Sequence, residues 1–242
     1  MTGDTAPELE SFPQGGVAAI AGATGAIGHA LLTAIEASGR FREVIGLSRN
    51  GRPKLDLTDE ASIEAAAQHI AGRGGELRLF IDATGFLHDG NFSPEKSLKQ
   101  ISPAQMAHAF AINATGPALL MKHFLPLLPR EGKSVFATLS ARVGSITDNK
   151  AGGWYGYRAS KAALNQILRS AAIETARRKP AAICLALHPG TVMSPLSAPF
   201  EKKGLDVRAP EAAARDLLTV IERANAQSNG SFLDYRGEAL PW

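Results

Sequence analysis

The chain has 242 residues, 45% hydrophobic and 20% charged, the balance of a globular protein with one sizeable core. Lysine and arginine number 26 against 23 acidic residues, a small surplus scattered along the chain, which argues against a nucleic-acid partner. A single cysteine, Cys184, excludes an intramolecular disulfide, and the six histidines include no pair at helical metal-site spacing, so no metal is expected.

Residues 1–14 carry three acidic residues and no apolar stretch, and read as a flexible N-terminal tail rather than a signal peptide or anchor. No apolar run approaches the roughly 18–20 residues that span a bilayer, so no membrane partner is expected and the setting reads as cytoplasmic. Residues 15–242 then form one domain. Apolar runs predict strands at 17–21, 44–48, 77–82, 134–139, 182–187 and 231–234, with a short further one near 54–56. Cys184 falls inside the fifth of these runs and reads as a buried strand residue. Helical periodicity fills the intervals. Residues 29–37 follow the first strand, and Thr58 or Asp59 caps the helix carrying Ile63, Ala66, Ala67 and Ile70. Ser102-Pro103 and Pro210-Glu211 start two more, each with proline in the first turn. Continuously apolar strands separated by helices predict an α/β fold: a single-domain, doubly wound Rossmann-type parallel sheet with helices on both faces.

Directly after the first strand comes Gly22-Ala23-Thr24-Gly25-Ala26-Ile27-Gly28, leading into a helix. Gly22 permits a tight turn, Gly25 close approach of a pyrophosphate, and Gly28 close helix–strand packing. The helix N-terminus offers free N–H groups and partial positive charge to phosphates. The second strand ends in Ser48-Arg49, where an NAD-binding protein commonly has an acidic residue on the ribose hydroxyls. A hydroxyl and a guanidinium suit a 2′-phosphate instead, so the expected cofactor is NADP(H) in preference to NAD(H), with Arg52 as a possible helper.

Tyr157 and Lys161 stand four residues apart at the start of a helical pattern, on one face. A free phenol titrates near 10, and bringing it to about 7 requires roughly 4 kcal/mol of differential stabilisation. An adjacent ammonium favours the phenolate, but an exposed pair contributes at most about 1 kcal/mol. The remainder has to come from a buried site and the cofactor's own charge.

With the glycine loop and this pair in order, the chain from about residue 17 onward resembles the short-chain dehydrogenase/reductase family. The run from Gly152 to Lys161 and the ending Gly237-Glu238-Ala239-Leu240-Pro241-Trp242 resemble its C-factor-like subgroup, which includes signalling-associated members. The resemblance implies that Tyr157 is the general acid or base and that Lys161 tunes it and holds the nicotinamide ribose. It implies that Asn113 supports a proton-relay water, and that Asp56 and Leu57 lie beside the adenine. Ala83, Thr84 and Gly85 would run along the cofactor, as would Thr24 and Ile27 of the loop. Pro189, Gly190, Val192 and Ser194 would belong to the loop closing over the nicotinamide. Ala141 stands where relatives carry their catalytic serine, so Ser140 is assigned to polarise the carbonyl, with Ser145 as the alternative. Asp82 replaces a usual asparagine and reads as structural. The activity implied is carbonyl–alcohol interconversion; the competing reading is a cofactor-binding signalling or sensor protein with little catalysis. Relatives pair through two long helices, here 104–128 and 154–177, implying a homodimer or homotetramer.

Overall fold

Strands form where β-branched and small apolar residues run without interruption, and in the computed structural model, which describes residues 7–200 and 206–242, they do so close to the expected places. Strand β1 (Val17–Ala21) is buried throughout and leads into helix α1 (Ala26–Ala37). Next come β2 (Glu43–Leu47), α2 (Glu60–Ala71) and β3 (Leu77–Asp82). Helices α3 (Pro103–Phe110) and α4 (Gly116–Phe124) precede β4 (Ser134–Leu139). The chain continues through α5 (Tyr155–Ala176), β5 (Ala182–His188) and a short parallel pair, β6 (Thr191–Val192) with β7 (Val207–Arg208). Helix α6 (Pro210–Arg223) and β8 (Ser231–Asp234) complete it. Six strands pair in parallel in the order β2-β1-β3-β4-β5-β8.

Side chains alternate across this sheet and divide the core in two. On one face Phe80, Phe136, Cys184 and Ala186 pack with α2, α4 and α5; on the other Ile81, Val135, Leu185 and Leu187 pack with α1 and α6. The first face is centred on Phe80, whose ring lies 4.2 Å from Phe124 and 5.0 Å from Phe136.

Several local expectations change. Helix α1 begins at Ala26 rather than 29, because extended Gly25 serves as its N-cap. Asp59, not Thr58, caps α2, its carboxylate accepting from Ala61 N at 3.1 Å. The short strand near 54–56 is only a single bridge between Ser48 and Lys54. The helix expected over 104–128 is broken into α3, a π-helical turn at Ala111–Thr115, α4 and a 3-10 turn at Leu125–Leu127. Pro117 explains the break: without an N–H it cannot donate to the carbonyl of Asn113 four residues earlier.

The flexible tail is also corrected for residues 7–14, while 1–6 lie outside the described residues. Leu9 and Phe12 are fully buried, with the Phe12 ring 5.5 Å from Phe41 and Lys133 Nζ 4.9 Å above it. Ser11 donates from its backbone N and hydroxyl to the Glu222 carboxylate, and Arg40 donates to the carbonyls of Glu10 and Phe12. The segment therefore seals the α1/α6 side of the core. Phe12→Ala is expected to lower the unfolding free energy by about 3 kcal/mol, the usual range for a buried aromatic truncated to alanine. Urea melts measure it; a change within about 0.5 kcal/mol, as for an exposed site, would mean the segment is not part of the core.

Candidate active site

From β1 the chain runs outward to β2 and then returns to β3 on the other side, so the carboxyl ends of β1 and β3 open a crevice at the switch point. The glycine loop lies across it. Gly22 has φ +80°, and a Cβ there would sit 3.0 Å from the Ala83 backbone. A Cβ on Gly28 would come within 2.2 Å of Gly22 O, so helix α1 can approach the loop only through glycine. Gly25 N donates to Gly22 O at 2.9 Å and closes the turn.

A cavity of about 680 Å³ follows this crevice. It is lined by Gly25, Ile27 and Arg49, by Ala83, Thr84 and Gly85 after β3, by Ser140, Tyr157 and Lys161, and by Pro189 and Ser194. Gly190 and Val192 face an adjoining cavity. The remaining expected cofactor residues stand outside both linings. Gly22 and Gly28 shape the loop behind the cavity, and Thr24 is exposed at the loop. Ser48 joins the bridge to Lys54. Asp56 accepts from the N and Oγ1 of Thr58, which holds its carboxyl below the ordinary range. Leu57 packs against Gly116, where a Cβ would lie 2.6 Å from Leu57 Cβ.

Asn113, in the π-helical turn, is completely buried. Its Oδ1 accepts from Phe86 N at 2.8 Å; its Nδ2 donates to Phe86 O at 2.8 Å and to Ser160 Oγ at 3.1 Å. It lines neither cavity, yet a Cβ on Gly85 would lie 3.9 Å from its Oδ1 and 3.8 Å from Lys161 Nζ.

Tyr157 and Lys161 come from the first two turns of α5. That helix lacks a local cap: Trp154 before it has φ +52°, and the buried Glu95 carboxylate accepts Gly156 N at 3.2 Å. The negative charge suits a helix N-terminus and pins the onset of α5 to the segment before α3. Lys161 Nζ donates to Leu139 O at 2.8 Å. Burial pulls its ammonium down to about 8, with Asp82 opposing. Asp82 is buried at the end of β3, accepting from Thr84 N at 3.0 Å, from Thr84 Oγ1 and from Thr138 Oγ1 at 2.7 Å; burial raises its carboxyl. Burial also pushes the Tyr157 phenol up to about 12. The protein alone therefore keeps that phenol protonated.

Ser140 lines both cavities with Tyr157, and its hydroxyl is 2.6 Å from Asn165 Oδ1. Ser145 is buried, and its Oγ accepts Asp148 N at 3.1 Å. Ala141 has no hydroxyl. Strand alternation points His188, the last residue of β5, to the same sheet face as Ser140 and α5. His188 lines the adjoining cavity with Tyr157, and its Nδ1 is buried without a partner. Sequence reasoning missed it, although a polar residue closing a buried strand just before Pro189-Gly190 was a readable signal. Glu95 and Asn165 carried no comparable signal, since their roles depend on distant segments.

Among the described residues no group of three or more His, Cys, Asp or Glu is placed to hold a metal, and no helix is long and apolar enough to cross a membrane. Cys184 is buried in β5, its thiol pushed up to about 12.

Burial holds the His188 imidazole down at about 4 against an ordinary 6.5, Arg142 adding to the effect and Asp234 opposing it. The unfolded chain binds that proton more tightly, so this stability is present above pH 6.5 and is lost as pH falls towards 4. Between pH 8 and 5 the loss from this group is expected to be about 2 kcal/mol, and His188→Gln should remove it. Urea melts of both proteins at the two pH values give the difference; parallel behaviour would mean the imidazole is solvated.

The family model described as enoyl-(acyl carrier protein) reductase matches residues 19–227. C-signal of Myxococcus xanthus is 36% identical over 146 residues, covering 60% of this chain and 84% of that protein. The 1-hydroxy-2-glutathionyl-2-methyl-3-butene dehydrogenase of a Rhodococcus species is 31% identical over 193 residues, 78% of this chain and 79% of its own. The NADPH-bound carbonyl reductase from chicken fatty liver superposes with a TM-score of 0.83 at 24% identity, over 95% of this chain and 100% of that one. With the parallel sheet, the glycine loop and the Tyr157–Lys161 helix already in place, these matches establish that the chain belongs to the short-chain dehydrogenase/reductase family of nicotinamide-dependent oxidoreductases, with a C-factor-like relative within it.

Proposed function

We propose that this chain is an NADP(H)-dependent carbonyl reductase or alcohol dehydrogenase in which Tyr157 handles the proton. The observation that carries the reading is that Tyr157 and Lys161 line the same cavity as the glycine loop and Arg49. The residues fit the cofactor: Gly25 leaves the start of α1 open, Gly85 leaves space beside Lys161, and Arg49 faces the cavity from the end of β2. When bound, the nicotinamide supplies or accepts the hydride. Arg49 would hold the 2′-phosphate, and Lys161 the ribose.

The chain's own groups favour reduction. A phenol held at about 12 is a ready donor at neutral pH, and it can protonate an oxygen that gains charge as hydride arrives. Accepting a proton instead would need the phenolate, which at neutrality lies about 7 kcal/mol uphill by the 1.36 kcal/mol per unit relation. Cofactor charge and Lys161 act against that gap. His188 takes the second-donor role that Ala141 cannot fill, because an N–H beside Tyr157 stabilises a developing oxyanion. Asn113 holds the backbone of Phe86 beside the floor and, in this reading, supports a proton-relay water. Pairing between copies is assigned to the outer faces of α4 and α5, which line a groove of about 690 Å³. A cytoplasmic setting suits the single buried thiol.

The similarity to C-signal, together with Ala141, supports a second reading: a cofactor-dependent signalling protein with little turnover. Kinetics separate the two. With NADPH and a panel of aldehydes, ketones and quinones, Tyr157→Phe should lower kcat about 10²–10⁴-fold, the usual size of a lost general acid. His188→Leu should fall less, and Ala141→Ser in that background should restore part of the loss. Native turnover no better than Tyr157→Phe on every substrate would favour the signalling reading.

Cofactor choice is tested by equilibrium binding. Arg49→Glu should weaken NADPH about 10-fold or more while leaving NADH less affected, as expected for loss of a guanidinium–phosphate contact. Equal losses for both cofactors would refute the 2′-phosphate assignment.

A further inference from the structure

The cavity adjoining Tyr157, about 450 Å³, has apolar walls but a cationic, solvent-facing side. Leu87, Val143, Trp154, Leu196 and Phe200 supply much of the wall, with the Trp154 and Phe200 rings 5.2 Å apart. The charged residues lining it among those described are Arg142, Lys150 and Arg158 against Asp148 alone. Even with Asp234, which pairs with Arg142 from outside the lining, three cations against two carboxylates leave a positive charge beside an apolar slot.

The cations are not equivalent. Arg158 is engaged by the protein, its guanidinium donating to the carbonyls of Gly152, Gly153 and Val143. Among the described residues Arg142 makes two distant ion pairs, 3.9 Å to Asp148 and 4.0 Å to Asp234, both beyond hydrogen-bond reach. Its side chain is 51% exposed, so its planar array of donors is open to an incoming acceptor. Lys150 is exposed and makes no hydrogen bond or ion pair among the described residues. Arg142 is nevertheless held in register with the reacting groups. It directly follows Ala141 and opens the turn Arg142–Gly144, where a Cβ on Gly144 would lie 2.9 Å from Lys161 Cβ. The turn is thus seated on the helix that carries Tyr157.

We propose that the substrate of this site is an amphipathic acid, an aromatic or aliphatic carbonyl compound whose distal carboxylate is held by Arg142 and Lys150. The inference rests on the reading of this cavity as the substrate site. The carbonyl oxygen meets Tyr157 and His188, the apolar body lies against Trp154 and Phe200, and the carboxylate meets the Arg142 guanidinium, which makes no hydrogen bond among the described residues. A bidentate arginine–carboxylate contact also fixes orientation, which a neutral body in an apolar slot lacks.

The test compares 4-formylbenzoate with its methyl ester, two aldehydes of similar body that differ in one charge. With NADPH and native protein, kcat/KM is expected to favour the acid about tenfold, chiefly through KM, the order of one partly exposed charge-assisted contact. The acid-to-ester ratio should approach one in Arg142→Gln/Lys150→Gln, recover in part in Arg142→Lys, and shrink with added salt. Because each ratio is taken within one protein, a general loss of folding cancels. Quenching of Trp154 fluorescence in the NADP complex supplies a readout that does not need turnover. If neither aldehyde is reduced but the acid binds more tightly than the ester, in a manner dependent on Arg142, the substrate class stands and the catalytic reading fails. Equal binding and equal turnover of the two, or a preference that survives Arg142→Gln/Lys150→Gln, would overturn the proposal.

Discussion

Asn113 ties together three stretches of chain with one buried side chain. Its amide holds the backbone of Phe86 through both N and O, and reaches Ser160 on α5, while its own backbone belongs to the π-helical turn between α3 and α4. A buried primary amide without partners would be costly, so the three segments are locked in mutual position by the need to satisfy it. The floor at Gly85, the ammonium of Lys161 and the onset of α4 all take their places from this node. Pro117 makes the arrangement possible by withholding a helical donor just where the ladder must open.

The electrostatic frame follows from burial. Asp82 and Lys161 are both sealed from water, which pushes each towards its neutral form, and each opposes the shift of the other. Local hydrogen bonds from Thr84 and Thr138 satisfy the carboxylate, and Leu139 O receives the ammonium. Burial raises the Tyr157 phenol, so that group rests as an acid. On the proposed mechanism the pair acts in both directions only with the charge of a bound nicotinamide, which would couple proton transfer to cofactor occupancy.

The proposed second donor, His188, stands beside the serine on the sheet. Ser140 and His188 close neighbouring parallel strands and point to the same face. Both line the cavity that Tyr157 faces, and the hydroxyl of Ser140 also reaches Asn165. Beyond them Arg142 and the Trp154–Phe200 pair line the cavity, the combination on which the proposed preference for acidic amphiphiles rests.

Six strands, the glycine loop and the Tyr157–Lys161 spacing were legible in the amino-acid order, because each is written locally: a run of apolar residues, a turn that only glycine fits, a pair one helical turn apart. The packing of Leu9 and Phe12 was not, since two apolar residues in a polar stretch carry no period. Nor was the division of the 104–128 helix, although Pro117 marked the place. The cap that Glu95 provides for α5, the turning of Ser140 towards Asn165 and the reach of Asn113 to Phe86 and Ser160 join residues 25 to 61 positions apart. Such contacts depend on which strands neighbour one another and on which face each side chain emerges. Sequence alone determined what elements exist and which chemistry they carry; the tertiary structure decided which of those groups share a cavity, because only the folded sheet brings their ends together.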